Sequence, residues 1–111
     1  MVFRIEWTQK ARKDLREIRD YIAKDSKRYA KIQVERIQDT AQRTATFPRI
    51  GRPVPEFPKE RWRELLAGNY RVIYRIDEPR TRILVLAVVH GKRLLVENMI
   101  RTADGRRRSK N

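Results

Sequence analysis

The stretch Tyr70-Arg71-Val72-Ile73-Tyr74-Arg75-Ile76-Asp77 decides the fold, together with the run from Arg82 to Val89 that follows it and ends in His90-Gly91-Lys92-Arg93. Strand alternation sets Tyr70, Val72, Tyr74 and Ile76 on one face and Arg71, Ile73 and Arg75 on the other. The first face reads as core and the second as a basic surface. An unpaired arginine is costly to bury, so two on one strand face point to acidic groups or phosphate as partners. The bland alternative is a solvated sheet face. In the second run, Ile83, Val85, Ala87 and Val89 alternate with Leu84, Leu86 and Val88, so both faces are apolar and a central strand is expected.

Upstream, Trp62 to Leu66 reads as a third strand of this group. Gly68-Asn69 and Glu78-Pro79-Arg80 supply turns short enough for antiparallel hairpins. At the N-terminus, Val2 to Trp7 alternates apolar and polar residues, as in a half-buried strand, and Thr8 is placed to cap a helix. Ala11, Leu15, Ile18 and Ile22 then recur on one helical face, predicting a helix to about Lys24. Asp25-Ser26 offers a break and a new cap, after which Ala30, Val34, Ile37, Ala41 and Ala45 predict a second helix toward Phe47. With almost no linker, the two helices form an antiparallel pair.

Phe47-Pro48 ends the second helix, because proline lacks a donor and pushes its predecessor out of the helical region. The following segment holds Pro48, Pro53, Pro55 and Pro58, four of the chain's five prolines. It is expected to be ordered by stiffness rather than by regular hydrogen bonding. Leu94, Leu95, Met99 and Ile100 allow a short final helix.

This order predicts an α+β fold: an N-terminal strand, an antiparallel helix pair, then a three-stranded antiparallel meander, with the helices packed on one face of a four-stranded sheet. Arg71 and Arg75 should point from the uncovered face. Residues 1–100 are expected to form one domain, and 101–111, with Arg106, Arg107, Arg108 and Lys110, a basic and flexible tail.

The 111 residues include 28 Lys and Arg against 14 Asp and Glu, a net charge of +14. The natural partner is an anion: a phosphate backbone, or an acidic protein that covers the basic face. The absence of cysteine excludes disulfides and thiolate metal sites. With no long apolar segment, neither secretion nor a membrane span is expected, and the cytoplasm is the default compartment.

The four glycines, at 51, 68, 91 and 105, are too scattered for a nucleotide-binding loop. A single histidine without cysteine supports no metal site, and no cofactor is expected. What remains is metal-free phosphate chemistry, in which cations stabilise a developing phosphorane while an acid and a base move protons at a ribose hydroxyl. Glu56 and His90 are the candidate base and acid, and Arg71, Arg75 and Arg93 the candidate cations. Each has a structural alternative. Glu56 could be a loop acid paired with Arg52 or Lys59, and His90 a strand-end histidine bonded to the next turn. Arg61, Arg63 and Lys92 complete the candidate nucleic-acid surface with Arg71, Arg75 and Arg93.

Taken together, Ala11 through Leu15 and Ile18, Tyr21-Ile22-Ala23-Lys24-Asp25-Ser26, Phe47-Pro48-Arg49-Ile50-Gly51-Arg52, Arg63-Glu64-Leu65, Tyr70 to Arg75 and His90-Gly91-Lys92-Arg93 resemble the RelE/ParE superfamily of bacterial toxins. The resemblance covers residues 2 to 100. It implies a type II toxin-antitoxin system, in which an acidic antitoxin neutralises a small basic toxin. RelE-like members cut messenger RNA in the ribosomal A site without a metal, and Arg71, Arg93 and His90 match parts of that pattern. Glu64 stands where the pattern has a lysine, and Met99 where it has a tyrosine. ParE-like members inhibit DNA gyrase without nuclease chemistry, and Tyr21 to Ser26 with Arg63-Glu64-Leu65 look more like that branch. Ribosome-dependent cleavage is the first expectation, because ribosome binding uses a large positive charge directly. Gyrase inhibition is the alternative, and a non-toxic relative that binds only antitoxin or RNA is a third.

Overall fold

Thr8 joins the first strand to the helices in the computed structural model, which describes residues 2–105. Its hydroxyl accepts the Ala11 N–H at 3.1 Å, capping α1 (Gln9–Ala23), and donates to the Val85 carbonyl at 2.9 Å. The same side chain therefore starts the helix and ties it to the sheet. Ser26 repeats the device at α2 (Lys27–Thr46), accepting from the Tyr29 N–H at 3.0 Å. A cap of this kind stabilises a helix by about 1 kcal/mol. Ala30, Ile37, Ala41 and Ala45 of the expected stripe are buried, together with Gln33, Thr40 and Thr44.

The strands are β1 (Arg4–Trp7), β2 (Arg52–Pro53), β3 (Trp62–Ala67), β4 (Tyr70–Asp77) and β5 (Arg82–His90), and α3 (Glu97–Asp104) follows them. They form one sheet in the order β1-β5-β4-β3-β2, with β1 parallel to β5 and the other pairs antiparallel. β5 thus lies inside the sheet, as its two apolar faces require. The sheet has five strands rather than four because Arg52 and Pro53, within the proline-rich segment, pair with Glu64 and Arg63. Pro53 fits there because β2 is an edge strand, where a missing donor costs nothing. Gly51 precedes it under tight constraint: a Cβ there would meet the Glu64 carbonyl oxygen at 2.5 Å and the Tyr74 hydroxyl at 2.7 Å.

A bulge changes which β5 side chains face the helices. Ile73 pairs with Ala87 and Tyr74 with Val85, so Leu86 is the extra residue. Strict alternation fails at that point. Val85 and Val88 pack with Ala11, Ile37 and Ala41 of the helix pair, whereas Leu84, Leu86, Ala87 and Val89 face the opposite side.

That opposite side is covered, which corrects the expectation of an open basic face. Val54, Phe57, Leu95 and Ile100 pack over Trp62, Ile73 and Leu86, forming a second apolar cluster. The helix α3 also runs through Arg101 to Asp104, residues expected to begin the tail. Gly105, at φ 71°, closes it in the left-handed conformation that glycine adopts without a Cβ penalty. Arg106, Arg107, Arg108 and Lys110 lie outside the described residues. No described helix is long and apolar enough to cross a membrane.

Candidate functional site

Arg71 does lie on the face opposite the helix pair, but its side chain is only 7% exposed. Its guanidinium is held by two carboxylates. Nε donates to Glu64 Oε1 at 2.7 Å, and Nη1 and Nη2 form a fork with Glu56 at 2.9 and 2.7 Å. Nη1 also reaches the Arg93 carbonyl oxygen at 3.2 Å. Glu64, itself buried, accepts a further bond from Arg52 Nε at 2.7 Å. Two guanidiniums and two carboxylates therefore balance within one cluster. Forked arginine–carboxylate pairs are the strong kind, and here they occupy the donors that a phosphate would need.

Glu56 is placed by the proline-rich segment and bonded to the β5–α3 connection, accepting the Leu95 N–H at 3.3 Å. The Arg71 guanidinium holds its carboxyl well below the usual carboxylate range, at about 2. The paired alternative for this residue is the observed state, with Arg71 as its partner in place of Arg52 or Lys59. A carboxylate of such low basicity is a poor general base near neutral pH. The pKa of Arg71 is raised, first through the hydrogen bonds it donates to Glu56 and also through Glu64.

Arg75, four residues along β4, is also neutralised. Its Nε donates to Asp104 Oδ1 at 2.6 Å, while the Trp62 indole N–H donates to Asp104 Oδ2 at 3.1 Å. A residue read as the start of a loose tail is thus a buried anchor. The sequence separations of 29 and 42 residues from Arg75 and Trp62 hide these two contacts of Asp104 from any local reading.

His90, Lys92 and Arg93 gather at the end of β5, and all three are exposed. His90 Nδ1 accepts the Lys92 backbone N–H at 3.2 Å, the turn-capping role set out as its structural alternative. The His90 ring lies edge-on to Tyr70, with ring centroids 5.5 Å apart. Arg61 and Arg63 stand at the other end of the β3–β4 hairpin, beside Arg75, in an open cleft of about 680 Å³. The candidate cations thus divide into three groups: a neutralised cluster at Arg71, an exposed turn at Arg93, and a cleft that holds Arg61 and Arg63. Arg49 and Arg80 also line that cleft, a grouping the sequence reading missed. Among the described residues no group of His, Cys, Asp and Glu could hold a metal ion.

Residues 5–95 match the family model described as ParE toxin of type II toxin-antitoxin system, parDE. The chain belongs to the ParE toxin family. Several solved structures share the fold of this toxin. One is the RelBE2 toxin-antitoxin complex from Mycobacterium tuberculosis, with a TM-score of 0.61 and 24% identity, covering 81% of this chain and 99% of that one. Another is the chromosomal ParDE toxin-antitoxin system from P. aeruginosa, with a TM-score of 0.67 and 21% identity, covering 80% and 96%. A third is a mutant of the E. coli toxin RelE in the free state, with a TM-score of 0.57 and 17% identity, covering 83% and 86%. No curated protein gives a significant match. A RelBE complex, a ParDE system and a RelE mutant thus share this fold.

Proposed function

We propose that this toxin arrests growth by binding its target rather than by cutting RNA, and that the target is DNA gyrase. The observation that carries this reading is the neutralised guanidinium of Arg71. Metal-free cleavage of RNA needs a cation with donors free to meet charge that develops on the phosphorane. Arg71 instead directs its donors to Glu56, Glu64 and the Arg93 carbonyl. The Arg71 hydrogen bonds lower the pKa of the Glu56 carboxyl and engage both its oxygens, which makes it a poor base for a ribose hydroxyl. The ParE family match supports the same reading, and toxin-antitoxin complexes among the fold relatives support an antitoxin as the neutralising partner.

The test uses the purified full chain in two assays. With gyrase and plasmid DNA, the toxin should inhibit supercoiling and trap cleaved DNA. In a translating extract it should leave messages intact. A-site cuts that disappear on Arg93→Ala or His90→Ala would overturn the reading in favour of ribosome-dependent cleavage. Induction without growth arrest would overturn it in favour of a non-toxic relative.

A further inference from the structure

The carboxylates around the arginine cleft are already engaged, and three of its arginines hold none of them within hydrogen-bond distance. Glu60 bonds Arg101 at 2.7 Å, Asp77 bonds Arg82 at 2.6 Å, and Glu78 bonds Arg49 at 2.8 Å. Arg61 is exposed and has neither an ion pair nor a side-chain hydrogen bond among the described residues. Arg63 donates through Nη1 to the Gly51 carbonyl at 2.6 Å, a bond that fixes the side chain but leaves its charge uncompensated. Arg80 approaches Asp77 only at 3.6 Å, and its side chain is 69% exposed. The less exposed arginines show the contrast, since buried Arg71 and half-buried Arg75 and Arg82 each hold a carboxylate at 2.7 Å or closer.

We propose that Arg61, Arg63 and Arg80 form a binding site for the phosphodiester backbone of a nucleic acid, at the opposite end of the β3–β4 hairpin from the turn that carries Arg93. Guanidinium forks suit phosphate oxygens, and Arg63 is already oriented by its bond to Gly51. An acidic peptide strand is the less suitable occupant. The edge of β3 is occupied beside the cleft by β2, which pairs Pro53 with Arg63. Pro53, Pro58 and Pro79 in the lining supply no N–H donor, so main-chain pairing with an added strand has little to build on. Recognition by charge and by donor geometry remains, and that is how a protein reads a phosphate backbone. This site needs no particular toxin target, and its test is separate from the gyrase assay.

The experiment is fluorescence anisotropy of the full chain with a labelled DNA duplex across a salt series. The variant Arg61→Ala/Arg63→Ala/Arg80→Ala is compared with Arg12→Ala/Arg16→Ala/Lys31→Ala, which removes the same charge from exposed helical positions. If the cleft is the site, the first variant should lose at least about tenfold in affinity, and its slope of log affinity against log salt should flatten by about 2.7, or about 0.9 for each contact. The helix variant should lose much less. Equal losses in both variants would overturn the proposal in favour of diffuse charge, as would no loss in the first. Displacement of the duplex by a glutamate-rich peptide at matched charge, abolished by the cleft variant, would assign the cleft to an acidic protein instead. Unchanged circular dichroism and melting of both variants keep the comparison free of unfolding.

Discussion

Arg75 on β4 and Asp104 at the end of α3 meet through a 2.6 Å bond, with both side chains almost wholly removed from solvent. This contact, with the Trp62 indole on the other carboxylate oxygen, fixes α3 over the second apolar cluster. It also takes Arg75 out of the accessible basic surface.

Replacing Asp104 by alanine should therefore destabilise the toxin by about 2–4 kcal/mol, because a nearly buried guanidinium loses its carboxylate and Trp62 loses an acceptor. Urea unfolding followed by tryptophan fluorescence would measure this. A loss below about 0.5 kcal/mol, typical of a neutral surface change, would contradict the anchoring role.

The Arg71 cluster predicts strong coupling between its members. Arg71→Met alone should cost about 3–5 kcal/mol, since Glu64 remains buried with one fewer cation. Adding Glu64→Gln removes that stranded charge and should recover part of the loss, giving a coupling energy of about 1 kcal/mol or more. Unfolding free energies of the two single variants and the double variant would measure it. Additive losses would show that the pair at 2.7 Å does not act as a unit. A loss of toxicity in Arg71→Met thus needs a folding control before it is read as chemistry.

Acid should weaken the fold through Glu56. Its folded pKa is depressed from 4.5 to about 2 by the Arg71 hydrogen bond, so between those values the unfolded chain binds the proton more readily. The contribution is fully present above about pH 5, and it is lost as pH falls toward 2. Asp77, lowered first by Arg82, adds in the same direction. Urea midpoints measured from pH 7 downward should decline through this window, and Glu56→Gln should flatten the decline. An unchanged slope in that variant would show that Glu56 is not the group responsible.

The helices were legible because each buries one periodic face, and β5 because it is an apolar run bounded by turn residues, both of which are local properties of the chain. The caps at Thr8 and Ser26 were legible for the same reason, since the bonded N–H lies three residues on. The faces of β5 were legible only as far as Leu86. Beyond it the bulge exchanges the sides of Ala87, Val88 and Val89, and an apolar run gives no sign of a shift in register. The site was the least legible part. Glu56 and Arg71 are both candidates in the sequence, but their direct pairing is not legible there, because they stand 15 positions apart with β3 between them.

Sequence alone determined the α+β class, the helix pair, the hairpin order and the resemblance to the superfamily, all of which rest on spacing within short windows. Tertiary structure decided the state of each arginine. Arg71 and Arg75 carry the same charge as Arg61 and Arg63, and the carboxylates that neutralise the first two lie 7, 15 and 29 positions away along the chain. The separation comes from which carboxylates the folded sheet, the proline-rich segment and α3 bring within hydrogen-bond reach. A buried cation requires such a partner, whereas one at the rim of a cleft is solvated without it.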